Sequence, residues 1–300
     1  MNASDRQLET LVGGGAFFEC PRWHDGRLWV SDYWRYQVLA ISSPDGTTET
    51  VADVPGAPSG LGWLPDDTLL VVSMQDSRLL RVENGATVQH ADLSAHSGPQ
   101  SNDMVVDASG RAYVSTIDFT AFADMPATNL VRVDPDGSVC VAAEGMSFPN
   151  GSVITPDGST LIVAESWAQR LTAFDLQPDG SLANRRDWAR FGPPPAAGTA
   201  GQPAHWSCAP DGIALDAEGA VWVADAANKR AVRVLEGGEI VEEVSAGDLD
   251  VIACALGGDD GHTLFLCVTP DFRLMPEEAA KRRSARILTR RVDVPHAGRP

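Results

Sequence analysis

Six stretches of this chain repeat one pattern. Each opens on a small or polar residue, passes through an apolar pair and an acidic or glycine-containing turn, and ends in a run of β-forming residues. They read ECPRWHDGRLWVSD from Glu19, SGLGWLPDDTLLVVS from Ser59, NDMVVDASGRAYVS from Asn102, NGSVITPDGSTLIVAE from Asn150, DGIALDAEGAVWVAD from Asp211 and CALGGDDGHTLFLCV from Cys254. Such a unit cannot bury its apolar faces alone, so the period implies an array in which neighbours cover one another. After each run comes another alternating strand: QVLAI, RLLRV, NLVRV, RLTAF, RAVRV and RIL. Turns such as SPDG, DPDG and QPDG supply the residues that reverse a chain between antiparallel strands. No helical pattern of 10 to 15 residues separates the units, which excludes βαβ construction. Radial repetition of four-stranded sheets is a propeller.

The expected architecture is therefore all-β, a six-bladed β-propeller forming one domain over residues 1–300, with the leading segment QLETLV completing the sixth blade. Gly13 to Gly15 read as a flexible join after that segment. The 300 residues, 43% of them hydrophobic, suffice for a sizeable core. A formal charge of −18 excludes nucleic acid and anionic membrane as partners, because both need clustered cations. No run of 18 apolar residues occurs, and the start MNASDRQLETLV has neither the basic residues nor the apolar stretch of a secretory signal. The five cysteines are odd in number without C-x-x-C spacing, so neither a disulfide framework nor a zinc ribbon is expected. Together these features point to a cytoplasmic protein acting on a small molecule.

The first position of each repeat is where the chain enters the innermost strand, so these residues should converge at one mouth of the central channel. There stand Glu19, the pair Asn102 and Asp103, Asn150 and Asp211, whereas blades two and six offer Ser59 or Gly60 and Cys254 or Ala255. Asn-Gly and Asp-Gly are common turn signals, and singly each residue has an ordinary explanation. Their recurrence at one register makes the case for a site. Two carboxylates and a carboxamide oxygen are hard donors, suited to one Ca²⁺ ion first, then Mg²⁺ or Mn²⁺, and less to Zn²⁺. A carboxylate beside a bound cation can also take a proton from water, a role open to Asp211 or Asp103, with Asp211 preferred.

The segments ECPRW, NDMVVD, PNG from Pro149 and PDGIALD from Pro210 resemble the senescence marker protein 30, gluconolactonase and luciferin-regenerating-enzyme family, and the match runs over essentially the whole chain. That resemblance implies a divalent metal held directly by Glu19, Asn150 and Asp211, with Asn102 reaching the substrate, Asp103 beside it, and lactone hydrolysis as the activity. Sugar-lactone members carry an Arg where this chain has Gln100 and a Gly where it has Met104. Around the expected mouth stand Trp34, Phe119, Phe122, Met146, Phe148, His205 and Trp206. Two atypical segments, residues 118–128 and 191–207, read as pocket walls. The substrate is therefore expected to be less sugar-like and more apolar than gluconolactone, contacted by Asn102, Gln100, Phe119, Phe148, His205 and Trp206. The competing readings are an organophosphate ester hydrolase at the same metal, a lyase or isomerase step, and a propeller that binds a ligand without turnover. The absence of G-x-S-x-G and of a phosphate-binding glycine loop argues against a serine hydrolase and against nucleotide chemistry.

Overall fold

The structure is a computed structural model, and it describes residues 7–118, 126–194, 196 and 206–298. Among these the chain forms 24 strands in six antiparallel sheets of four. β1 (Glu9–Gly15) comes first in the chain but pairs last. Blade one is β2 (Phe18–His24), β3 (Arg27–Asp32), β4 (Gln37–Ser42) and β5 (Thr48–Asp53). Blade two is β6 (Pro58–Trp63), β7 (Leu69–Ser73), β8 (Arg78–Glu83) and β9 (Ala86–Asp92). Blade three is β10 (Gln100–Val106), β11 (Ala112–Ile117), β12 (Thr128–Val133) and β13 (Val139–Met146). Blade four is β14 (Pro149–Ile154), β15 (Thr160–Glu165), β16 (Arg170–Leu176) and β17 (Leu182–Arg190). Blade five is β18 (Pro210–Leu215), β19 (Val221–Asp225), β20 (Arg230–Val234) and β21 (Ile240–Ser245). Blade six takes β22 (Asp250–Gly257), β23 (Thr263–Thr269) and β24 (Ala285–Arg291) from the end of the chain and β1 from its beginning.

The architecture is a six-bladed β-propeller, closed where β1 pairs antiparallel with β24 from Glu9↔Thr289 to Gly15↔Ala285. Gly13 to Gly15 are thus ladder residues, not a flexible join. Apolar side chains meet between consecutive blades rather than in one central mass. Val153, Ile162 and Leu171 of blade four pack with Ile213, Val221 and Val232 of blade five, and Leu28 and Ile41 of blade one pack with Phe265 and Ile287 of blade six. Each fully buried Val, Leu, Ile or Phe side chain is worth about 1.5–3 kcal/mol relative to exposure, so every blade depends on both neighbours. All five cysteines are free. Between β23 and β24 lies one short helix, α1 (Pro276–Arg282), with proline in its first turn, Glu277 and Glu278 at its start and Lys281 and Arg282 at its end, a charge order that suits the helix dipole. Among the described residues no helix is long and apolar enough to cross a membrane.

Each innermost strand carries a bulge near its start. The register shifts between Glu19 and Arg22, Pro58 and Leu61, Ser101 and Met104, Pro149 and Ser152, Pro210 and Ile213, and Val251 and Ala253. An extra residue on one strand re-aims a side chain out of the pleat, and here it is aimed at the axis. Inside the bulges stand Ser59, Asn102, Asn150, Asp211 and Ile252, whereas Glu19, paired with Ser31, is the residue just before the bulge of blade one. The blade-six position is therefore Ile252, not Cys254 or Ala255 as the repeats suggest. Aligning by the Gly turn places it two residues late, because β22 has eight residues where its counterparts have six or seven. The strands run so close behind the bulges that a Cβ on Gly212 would lie 2.6 Å from that of Ala253.

Candidate active site

The bulged starts of the innermost strands bring Glu19, Asn102, Asn150 and Asp211 to one cavity of about 300 Å³ at their N-terminal ends. A network of hydrogen bonds runs around this mouth. Asn102 Oδ1 accepts from the Tyr33 hydroxyl at 3.1 Å and from Ser59 Oγ at 3.1 Å, which occupies both of its lone pairs. Asn102 Nδ2 donates to Asn150 Oδ1 at 3.2 Å. Asn150 Nδ2 donates to Ser166 Oγ at 3.4 Å, and Ser166 Oγ donates to the Pro210 carbonyl at 2.7 Å, one residue before Asp211. Burial pushes the Tyr33 phenol well above its usual range, so it stays a neutral donor.

The two acids carry opposing demands. Glu19 Oε2 accepts the Cys20 amide at 2.9 Å, yet burial first and then the charges of Asp211 and Asp103 raise its carboxyl well above the ordinary range. Asp211 is raised likewise, by burial and then by Asp103, with Asn150 acting against the rise. Asp211 Oδ1 is buried with no hydrogen-bond partner among the described residues. A bare carboxylate oxygen beside a second buried acid is costly unless a cation compensates it, and that is the observation by which this donor set fits a divalent ion. Among the described residues no three His, Cys, Asp or Glu side chains gather to ligate a metal. The set is therefore two carboxylates completed by a carboxamide, hard oxygen chemistry rather than a zinc constellation.

Asp103 is adjacent to Asn102 but does not line the cavity. Its Oδ1 accepts from Arg22 Nη2 at 2.8 Å and from the Met104 amide at 2.7 Å. Gln100, at the start of β10 opposite Ile117, is not among the described residues that line it. Met146, expected at the mouth, is fully buried in the seam between blades three and four. Phe148 and Trp206 do line the cavity, as does Trp34. Phe119, Phe122 and His205 lie outside the described residues.

A second register of the repeat, unread in the sequence, builds the rest of the wall. β3, β15 and β19 end in Asp32, Glu165 and Asp225, all fully buried. Each accepts backbone amides from the segment entering the innermost strand: Asp32 from Phe17 at 3.0 Å, Glu165 from Ser147 at 2.7 Å, Asp225 from Ala209 at 3.0 Å. These acids hold the approach to Glu19, Asn150 and Asp211. The residues that follow them, Tyr33 and Trp34, Ser166 and Trp167, Ala226 and Ala227, form the cavity rim. The recurring VSD, VAE and VAD endings were the available signal. Phe148 and Trp167 meet with ring centroids 4.6 Å apart. Ile252 and the Phe272 to Leu274 segment before α1 close the side under blade six.

A larger cavity of about 710 Å³ opens at the other end of the innermost strands, near His24, Trp63 and Leu256. None of the four convergent donors lines it.

Residues 17–269 match the family model described as the SMP-30/Gluconolactonase/LRE-like region. The chain is 25% identical to a 6-deoxy-6-sulfogluconolactonase from Pseudomonas putida over 288 residues, covering 94% of this chain and 93% of that protein. It is 27% identical to a pentonolactonase from Haloferax volcanii over 209 residues, covering 67% of this chain and 63% of that one. Among solved structures, a calcium-binding regucalcin from Agrobacterium tumefaciens superposes with a TM-score of 0.78 at 19% identity, covering 98% of this chain and 97% of the other.

Proposed function

The chain belongs to the SMP-30/Gluconolactonase/LRE-like family, and from that membership and the channel geometry we propose that it is a metal-dependent hydrolase opening a lactone or related cyclic ester with an apolar or aromatic part. Lactone hydrolysis is supported at the level of the family by relatives named as lactonases. The observation that carries the reading is the convergence of Glu19, Asn102, Asn150 and Asp211 on a cavity walled by Trp34, Phe148, Trp167 and Trp206. At about 300 Å³ the cavity is at the small end of ligand sites, suited to a monocyclic lactone with a short substituent.

Glu19, Asn150 and Asp211 are the ligands of this reading, with Ca²⁺ the first candidate and Mg²⁺ or Mn²⁺ next. A divalent ion bound there supplies Lewis acidity for the lactone carbonyl and offsets charge developing on its oxygen. Asn102 acts on the same oxygen. With Oδ1 committed to Tyr33 and Ser59 and one Nδ2 hydrogen to Asn150, the amide is locked with its remaining N–H for substrate. Asp211, on the cavity wall, takes the proton from the attacking water, whereas Asp103 is committed to Arg22 and is the weaker candidate base. The aromatic walls hold the apolar part of the substrate and keep bulk water off the reacting carbonyl.

The test is a proton-release screen of aldonolactones, alkyl and aryl lactones and phosphotriesters against protein loaded with Ca²⁺, Mg²⁺, Mn²⁺ or Zn²⁺. Turnover of a lactone that vanishes on chelation supports the reading. Exclusive turnover of phosphotriesters, elimination or isomerisation products, or binding without turnover would each replace it by the corresponding alternative.

A further inference from the structure

The channel also holds a buried ion pair that the proposed reaction does not use. Arg22 follows Glu19 by three residues on β2, and its side chain, 5% exposed, reaches that of Asp103 on β10, 4% exposed, with Nη2 2.8 Å from Oδ1. The same nitrogen donates to the Met104 carbonyl at 2.7 Å, and Nη1 donates to the Pro21 carbonyl at 2.9 Å. The guanidinium thus links the innermost strands of blades one and three. Blade two makes way for the close approach of β10, since a Cβ on Gly60 of β6 would lie 2.5 Å from Met104 N.

A buried ion pair is a poor stabiliser compared with apolar side chains of the same volume, because desolvation cancels most of its attraction. Its consequence here is the charge of the pocket. Three carboxyl groups, Glu19, Asp103 and Asp211, share this part of the channel with one guanidinium, which leaves an excess of two negative charges when all are ionised. The pair stands beside two of the four donors, since Asp103 adjoins Asn102 on β10 and Arg22 follows Glu19 on β2. The cation on the cavity wall itself, Arg273, is 65% exposed at the rim and paired with Asp271 at 3.0 Å, so it adds little to the interior.

Resting on the metal-dependent reading above, we propose that Arg22 is a positioning residue that sets the metal pocket's excess charge at minus two. It neutralises Asp103 and ties the strands of Glu19 and Asn102 together, so that the pocket prefers a divalent to a trivalent ion.

The experiment titrates Ca²⁺ by calorimetry and Tb³⁺ by tryptophan-sensitised luminescence into wild type, Arg22→Met, Asp103→Asn, the double variant and Arg22→Lys, with circular dichroism as the check on folding. The excess becomes three in Arg22→Met, one in Asp103→Asn and two again in the double variant. One charge roughly 10 Å away, at an effective dielectric of about 20, changes the binding of an ion by roughly tenfold for each extra charge the ion carries. The Tb³⁺ to Ca²⁺ affinity ratio should rise by about that factor in Arg22→Met, fall by about that factor in Asp103→Asn, and return to within about threefold of wild type in the double variant. Arg22→Lys should keep the ratio while weakening both ions, since a shorter ammonium preserves the charge but not the strut. If Arg22→Met does not fold, the step from Asp103→Asn to the double variant reads the same charge, and should raise the ratio about tenfold. A ratio unchanged across the series overturns the proposal while leaving the metal reading intact. Failure of the wild type to bind either ion overturns the metal reading instead, and this proposal with it.

Discussion

Asn102 donates from Nδ2 to Asn150 Oδ1 across 3.2 Å, joining the innermost strands of blades three and four at the mouth of the channel. With Oδ1 of Asn102 held by Tyr33 and Ser59, the bond sets the orientation of two carboxamides at once. Asn150 presents an oxygen to the cavity and Asn102 an N–H.

Replacing Asn102 by Leu should lower kcat/KM by about 10² to 10³, the usual cost of losing one donor to a developing oxyanion. Tyr33→Phe removes one of two bonds to Asn102 Oδ1 and should cost only about 0.5–1.5 kcal/mol, less than or near tenfold. Steady-state kinetics on both variants decides the matter. Equal losses would mean that Tyr33 itself touches the substrate.

Glu19→Gln and Asp211→Asn should each lower metal content after dialysis, measured by elemental analysis. Retention of full metal by both would remove the ligand assignment. With saturating metal, Asp211→Asn should lose about 10² to 10⁴ in kcat through loss of the base. A variant that keeps more than about a tenth of wild-type kcat places the base elsewhere.

The raised carboxyls of Glu19 and Asp211 give a signed pH effect. An acid whose folded value exceeds its unfolded value holds its proton more tightly in the folded state. Its contribution to stability is therefore fully present below the ordinary carboxylate range and is lost as pH rises from that range through the raised folded values. Metal-free protein should thus lose thermal stability as pH rises above about 4, and added Ca²⁺ should raise Tm more at neutral than at acidic pH, because binding needs both acids ionised. Differential scanning fluorimetry with and without chelator is the measurement. A Ca²⁺ shift in Tm that is the same or larger at the acid end contradicts the reading.

The aromatic walls predict a substrate ordering. Alkyl or aryl lactones should exceed aldonolactones in kcat/KM, and Trp206→Ala should narrow that gap by roughly the 1–3 kcal/mol expected from reduced apolar contact. If an aldonolactone is turned over tenfold faster than every apolar lactone tried, the apolar-substrate proposal is wrong.

Asp225, fully buried and paired with Arg230 Nε at 2.9 Å, should be costly to neutralise even though it lies off the cavity. Losing hydrogen bonds to a buried carboxylate costs about 1.5–3 kcal/mol, which corresponds to a Tm drop on the order of 3–5 °C in a chain of this size. Asp187→Asn breaks a pair with Arg190 whose partners are 41% and 45% exposed, and should cost under about 1 kcal/mol. Because Asp225 also holds the Ala209 amide, Asp225→Asn should lower activity at temperatures where it is still folded. Parallel thermal melts and assays at 25 °C would expose a reversed order.

The propeller was legible because everything that specifies a blade is local. Alternating strands, Pro-Asp-Gly turns and the recurrence of six similar units can be read within a few dozen residues, and the turn chemistry leaves few alternatives. The oxygen donors Glu19, Asn102, Asn150 and Asp211 were legible for the same reason, since each opens a unit of the repeat. The repeat alone misplaces blade six at Cys254 or Ala255 instead of Ile252, because the bulge that defines the register depends on which residues pair across the sheet. No composition rule marks the extra residue in β22.

What only the tertiary structure decided are relationships between residues far apart in the chain. Arg22 and Asp103 are separated by 81 positions and meet because closing the ring brings blades one and three across a narrow channel. Asp103 was thereby drawn off the cavity and Gln100 left off its described wall, although one follows Asn102 directly and the other precedes it by two residues. A strand alternates its side chains between faces, and a bulge interrupts that alternation once. Neighbours in the chain therefore end on opposite sides of the wall, and which of them sees the cavity is set by the pairing of strands and the closure of the ring, quantities that belong to the whole fold.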